Sequence, residues 1–206
     1  APKFAYHAVA RAFAPVSLSL VEKDQALEVW LVVQSDSRVD DEVTLFSGSV
    51  SGESLRAVRT AQVKAGDAVA KRLFRVPLSL SEEDCRNIYY FAALKKNARV
   101  RSEVYLLRPP KWINWSEGRI TVREISTERS SATTFAFHST SLVKGLWLRG
   151  PEDAPHTEFS DNAITLIPGI EQRVSARFPE DARSESPLRV WTYHPMSVEY
   201  AAARAE

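Results

Sequence analysis

Leu27, Val29, Leu31 and Val33 alternate with Glu28, Trp30 and Val32. A period of two puts the four aliphatic residues on one face, which predicts a half-buried β-strand with Trp30 on the opposite face against a neighbour. The same texture fills most of the chain. Further strands are predicted at residues 18–21, 43–46, 54–63, 69–76, 88–94 and 100–107, with Gly, Ser, Asp and Asn between them. A second series is predicted at residues 119–124, 133–138, 142–148, 163–167, 172–178 and 188–193. Arg173, Ser175 and Arg177 alternate there with Val174, Ala176 and Phe178, the pattern of an antiparallel sheet with one wet face. Runs of about seven short strands at this spacing predict an all-β chain of two tandem immunoglobulin-like antiparallel β-sandwiches.

Two places break the strand pattern. Residues 3–14 are Ala-rich and hold no Gly or Pro, and Phe4, His7 or Ala8, and Arg11 are helically spaced. Pro15 predicts that this short helix stops by Phe13 or Ala14. So short a helix is marginal alone in water, so it needs something to pack on. Ser79 to Asp84 reads as a capped single helical turn. Pro109-Pro110 interrupts the pattern with a stiff, extended pair and marks the boundary between the sandwiches. The resulting division is a short helix at 1–15, one sandwich at 16–109 and a second at 110–206. The Ala-rich, charged end from Glu199 reads as a frayed helix or a disordered tail.

The most informative string is Phe159-Ser160-Asp161-Asn162-Ala163-Ile164-Thr165-Leu166-Ile167-Pro168-Gly169. Ser-Asp-Asn is turn chemistry, because short polar side chains bond nearby backbone. A short apolar run follows, and Pro-Gly suits the central positions of a type II turn.

Composition narrows the function classes. The 206 residues carry a formal net charge of +1 and are 44% hydrophobic, enough for one large domain or two smaller ones. That balance lacks the basic excess of a general nucleic-acid binder. No apolar run is long enough to cross a bilayer, and no basic-then-apolar segment opens the chain. Cys85, the single cysteine, precludes an intramolecular disulfide and a Cys-rich zinc site. Its neighbours Glu82, Glu83 and Asp84 argue for a structural cysteine, which leaves cytoplasm and periplasm both open.

Candidate chemistry is sparse. His7, His138, His156 and His194 show no zinc-motif spacing and read as structural or solvated. Gly48-Ser49-Val50-Ser51-Gly52 has Val at its centre, so it is a hairpin connection and not a nucleophile elbow. The carboxylate clusters Asp40-Asp41-Glu42, Glu82-Glu83-Asp84, Glu152-Asp153 and Glu180-Asp181 fall in predicted turns and read as solvated surface. A glycosidase acid/base pair needs a desolvated carboxyl group, and no pocket is marked in the sequence. No catalytic, cofactor-binding or metal-binding residue is therefore assigned, and no cofactor is expected. Trp147 and Trp191 lie in predicted strands and are expected in the core or between sheets. Trp112 and Trp115 follow the proline pair and form either a sugar-stacking platform or, preferably, a hydrophobic plug between the sandwiches.

Two segments together resemble the C-terminal region of β-mannosidases of glycoside hydrolase family 2. Lys3, Tyr6-His7 and Phe13-Ala14-Pro15 keep the outline of the family's passage from the last barrel helix into an immunoglobulin-like domain. The family's Trp is absent, with Pro2 in its place, and its His-Tyr order is reversed. Phe159, Ser160, Asp161, Asn162, Leu166, Pro168 and Gly169 match the terminal-domain motif, and Leu188 to Tyr193 is similar to the strand after it. The resemblance implies an enzyme that releases terminal β-linked mannose, with two catalytic glutamates in a (β/α)8 barrel. Such a barrel needs about 250 residues, so these two sandwiches have no room for it. The implied role is non-catalytic bracing of that barrel, with Phe4, Tyr6, His7 and Phe13 as barrel contacts. The implied partners are the barrel of the same polypeptide and, through the parent enzyme, a carbohydrate substrate. No nucleic acid or membrane is implied. The alternative is a carbohydrate-binding or adhesion module with Trp112 and Trp115 as its platform.

Overall fold

The computed structural model describes residues 4–34, 36–66, 68–125, 132–152, 154, 156–179 and 188–201. They form two compact units, one of residues 9–114 and one of residues 1–8 with 115–206. The division falls within helix α1 (Phe4–Ala12) and again after Asn114. α1 ends where Pro15 requires, with Phe13 N–H still donating to the Val9 carbonyl at 3.0 Å.

The first unit packs two antiparallel sheets face to face. One sheet holds β1 (Val16–Lys23), β2 (Ala26–Val33) and, after β3 and β4, β5 (Val69–Pro77), in the order β1-β2-β5. Asp24 and Gln25 join β1 to β2 with φ of 47° and 54°, the two positive angles of a two-residue hairpin. The other sheet has the order β4-β3-β6-β7, with β3 (Arg38–Ser49), β4 (Leu55–Gly66), β6 (Ile88–Leu94) and β7 (Tyr105–Leu106). Gly48 lies opposite Tyr89 in this sheet. A Cβ there would come within 2.4 Å of the Tyr89 ring, so the aromatic ring occupies the space a larger residue would need. The core runs through Leu27, Val29, Leu31, Val43, Leu45 and Ala92, all fully buried.

The predicted turn at Ser79–Asp84 is helix α2 (Glu82–Asn87), displaced three residues downstream. Ser81 caps it: its hydroxyl accepts from Asp84 N–H at 3.1 Å, and the Asp84 carboxylate accepts from Ser81 N–H at 3.3 Å. Cys85 faces inward and is buried.

Two expectations in this unit need correction. β2 is not half-buried, because Glu28 on its outer face is 3% exposed. Arg72 and the Trp30 indole donate to the Glu28 carboxylate at 2.7 and 3.0 Å, and this pairing makes the burial affordable. Residues 100–107 do not form one strand. Only Tyr105 and Leu106 pair with β6, beside an isolated Ala93–Arg101 bridge. Ser102 interrupts the ladder, its Oγ accepting from Ala92 N–H at 2.9 Å in place of a backbone carbonyl.

The second unit has a five-stranded and a three-stranded sheet. The larger holds β8 (Arg119–Ile125), β9 (Thr133–Ser139), β11 (Glu158–Phe159), β13 (Gln172–Arg177) and β15 (Ser197–Ala201), in the order β11-β13-β9-β8-β15. The smaller has the order β12-β10-β14, from β10 (Val143–Arg149), β12 (Ile164–Leu166) and β14 (Arg189–Trp191). Ile120, Phe137, Leu146, Leu148, Leu166 and Val174 fill the space between them. β15 corrects the reading of the tail: Glu199 to Ala201 belong to a strand, parallel to β8 with Ser197 opposite Arg119. Residues 202–206 lie outside the described residues. The alternating pattern does not reveal β15, because four of its five residues are exposed at a sheet edge. Both units are otherwise the antiparallel β-sandwiches the strand pattern predicts, with one short N-terminal helix.

Candidate functional site

The Phe159–Gly169 motif folds as turn, strand and turn. Ile170 N–H donates to the Ile167 carbonyl at 3.0 Å across Pro168-Gly169, and Gly169 has φ +77°. The polar half does more than cap itself. Asn162 is 4% exposed, and its side-chain amide meets both backbone groups of Leu148. Its Oδ1 accepts from Leu148 N–H at 2.7 Å, and its Nδ2 donates to the Leu148 carbonyl at 2.8 Å. The amide thus replaces a strand neighbour for β10. Oδ1 also accepts from Ala163 N–H at 2.9 Å, while Asp161 accepts from Asn162 N–H at 2.8 Å.

This motif meets the start of the chain. His7 Nδ1 lies 3.8 Å from Asp161 Oδ1, across 154 residues of sequence, and His7 is 5% exposed. Tyr6 packs edge-on against the His7 ring, with centroids 5.3 Å apart. Tyr6 is nonetheless 61% exposed and Phe13 73% exposed, whereas His7 is buried. Phe4 opens α1, but its side chain lies outside the described residues.

Trp112 and Trp115 belong to different units. Trp112 ends a 3-10 turn at Pro110–Trp112 and is 52% exposed, with the Lys111 ammonium 5.2 Å from its ring centroid. Trp115 is half-buried and stacks on His194 at 4.3 Å. His194 is buried, with neither ring nitrogen in hydrogen-bond geometry. Desolvation pushes its pKa below the ordinary histidine value, against a weaker opposing contact with the Leu142 backbone. Trp147 and Trp191 are not core residues. Trp147 is half-buried and Trp191 is 44% exposed, because both lie on the outer face of the small sheet.

The carboxylates are arranged as anchors. Asp41 was expected in a solvated turn, yet it lies within β3 and is 5% exposed. Desolvation raises its pKa, but backbone N–H groups of Lys96, Glu42 and Asn97 outweigh that and hold it below the usual range. Lys96 N–H donates at 3.1 Å and Glu42 N–H at 2.7 Å, which ties the strand to the loop after β6. Glu171 collects Arg173 at 2.5 Å, His138 at 3.0 Å and Arg123 at 3.6 Å on the wet face of the large sheet. Among the described residues, each carboxylate clearly shifted from its ordinary pKa is lowered: Glu28, Asp41, Glu82, Glu152 and Glu171. A glycosidic general acid needs the opposite shift. No three metal-ligating side chains gather among the described residues, and no helix there is long and apolar enough to span a membrane. Asp153, Glu180 and Asp181 lie outside the described residues.

Known structures share this fold. A β-D-mannosidase from Dictyoglomus thermophilum superposes on 97% of the chain with a TM-score of 0.77 at 15% identity. The likeness is one of fold, to part of that enzyme. The matching region is 24% of the mannosidase chain. The exo-chitosanase CsxA of Amycolatopsis orientalis, also described as an exo-β-D-glucosaminidase, matches 91% of this chain and 26% of its own. Its TM-scores are 0.62 and 0.65 at 15% and 16% identity in two structures. The chain therefore spans about a quarter of the length of these glycosidases. No protein-family model matches the sequence, and no curated protein does.

Proposed function

We propose that this chain forms the non-catalytic C-terminal β-sandwich domains of a β-mannosidase-like glycoside hydrolase of family 2, whose parent polypeptide hydrolyses terminal non-reducing β-D-mannose residues. The supporting observation is the continuous likeness over 97% of this chain to a quarter of a β-mannosidase. The order of the two sequence segments agrees with it, and so does the set of lowered carboxylate pKa values. In this reading residues 1–15 end the barrel, while 16–109 and 110–206 brace it. Tyr6 and Phe13, both exposed, then have the barrel as their apolar partner. Phe4 completes the proposed contact, and His7, buried beside Asp161, backs it.

The test compares the parent enzyme with and without residues 16–206, and assays the isolated chain on p-nitrophenyl β-D-mannoside. The isolated chain is expected to show no turnover, and the truncated parent a lower melting temperature. Saturable hydrolysis by the isolated chain would overturn the non-catalytic assignment. A truncated parent with unchanged melting temperature and kcat/KM would remove the bracing role. The exposure of Trp112 supports a second reading, a carbohydrate-binding or adhesion module with Trp112 as a stacking residue. Saturable quenching by manno-oligosaccharides that disappears in Trp112→Ala would favour it.

A further inference from the structure

Trp191 stands opposite Trp147 in the β10–β14 ladder, and Arg189 stands opposite Arg149. Directly opposed residues of an antiparallel pair share a face, and alternate residues along a strand return to it. The two indoles and the two arginines therefore occupy one outer surface. Beside Trp191 opens a groove of about 470 Å3 whose walls include Pro151, Glu152, Arg189 and Tyr200. Its polar wall is held in place. Arg189 pairs with Glu152, and the Tyr200 hydroxyl donates to the Leu188 carbonyl.

This set of groups has a recognisable use. An exposed indole offers a flat apolar face that suits the C–H face of a pyranose ring. An Arg–carboxylate pair still has unused guanidinium donors and carboxylate lone pairs, which match adjacent hydroxyls in planar, bidentate fashion. Among the described residues of this face, Arg149 and Arg189 stand against the one carboxylate of Glu152, a positive excess that disfavours a protonated amino sugar. We propose that this groove along β14, between Trp191 and Tyr200, is a carbohydrate-binding subsite for a neutral pyranose oligosaccharide. Trp191 is the stacking platform, and the Arg189–Glu152 pair forms the hydrogen-bonding edge. The choice of sugar as ligand class rests on the glycosidase reading above, while the location rests on the groove itself.

The isolated, 15N-labelled chain is titrated with mannohexaose and, separately, with a glucosamine hexamer. The chain has five tryptophans, so the indole N–H resonances report each one. Mannohexaose is expected to shift the Trp191 resonance saturably, in the millimolar range, and the glucosamine hexamer to bind more weakly. Trp191→Ala should weaken binding about tenfold or more, the scale of one aromatic stacking contact. Arg189→Gln should weaken it too, and it keeps the test open should Trp191→Ala fail to fold. Trp112→Ala should bind like the unaltered chain. Absence of a saturable shift, full binding by a folded Trp191→Ala, loss of binding in Trp112→Ala, or preference for the glucosamine hexamer overturns the proposal. None of these outcomes touches the bracing role, which is read from the parent's melting temperature.

Discussion

Asn162 shows what one side chain can do for a β-sandwich. Its amide supplies a donor and an acceptor where β10 would otherwise need another strand, and a third bond reaches Ala163 N–H. Asn162→Ala strands buried backbone groups of Leu148, so it is expected to cost about 2–4 kcal/mol in urea unfolding. Asn162→Asp keeps the acceptor but cannot donate to the Leu148 carbonyl. It should also be destabilising at neutral pH and should recover part of the loss in acid, where the carboxyl regains a proton. A loss below about 0.5 kcal/mol for Asn162→Ala would contradict the strand-substitute role. Gly169 is a cleaner backbone case, since a Cβ there meets nothing within 4 Å while φ is +77°. Gly169→Ala should therefore cost about 1–2 kcal/mol from left-handed strain alone. The turn role of this motif was legible from residue types. The bonds to Leu148 were not, because nothing local pairs residue 162 with residue 148.

At the scale of elements, legibility followed burial contrast. β6 was expected at residues 88–94 and is found there, since its apolar residues sit between clear turn signals. α2 was visible from Ser81 and the carboxylates after it, because a capping box is a local device. Ser81→Ala removes that cap and should cost about 1 kcal/mol, measured by thermal unfolding. β15 was missed because an exposed edge strand needs no apolar face; its pairing with β8 holds it. Truncation before Ser197 is expected to raise hydrogen-exchange rates of β8 amides from Arg119 to Arg123, which lie along that pairing. Unchanged protection there would show that β15 contributes nothing to the sheet. Trp191 was misplaced for a related reason. A tryptophan in a strand has two faces to choose from, and alternation within three residues cannot say which one is wet.

For the whole molecule, the charge arrangement determines how stability depends on pH. Asp41 and Glu28 are both buried from solvent and held below their ordinary pKa values. Arg72 is the leading influence on Glu28, and backbone N–H groups overcome desolvation at Asp41. Their stabilisation is present above the unfolded carboxylate range, about 4, and is lost as pH falls through the lowered folded values. His194 acts from higher pH. Its folded pKa is depressed by burial, so the unfolded chain takes up the proton first and stability declines as pH falls below about 6.5. Unfolding free energy against pH should therefore show a shallow decline near pH 6 and a steeper one in acid. His194→Phe should flatten the first and Asp41→Asn the second. Profiles unchanged by either substitution would sink this assignment.

The sequence by itself determined the all-β class, the helix that stops before Pro15, most strand positions and the turns around the Phe159–Gly169 motif. Those features depend on alternation, backbone preference and capping, which act between residues a few positions apart. It also carried the likeness to the sandwich region of β-mannosidases, since the motif residues keep their order and spacing. Only the tertiary structure decided that His7 reaches Asp161, that Asn162 completes β10, and that Glu28 and Asp41 are buried anchors. It alone put Trp147, Trp191 and the arginines on one surface. Each of those facts joins residues distant along the chain, and such a meeting depends on which sheet faces pair. Local hydrophobicity does not encode that pairing, because a strand buries its apolar side equally well against many partners.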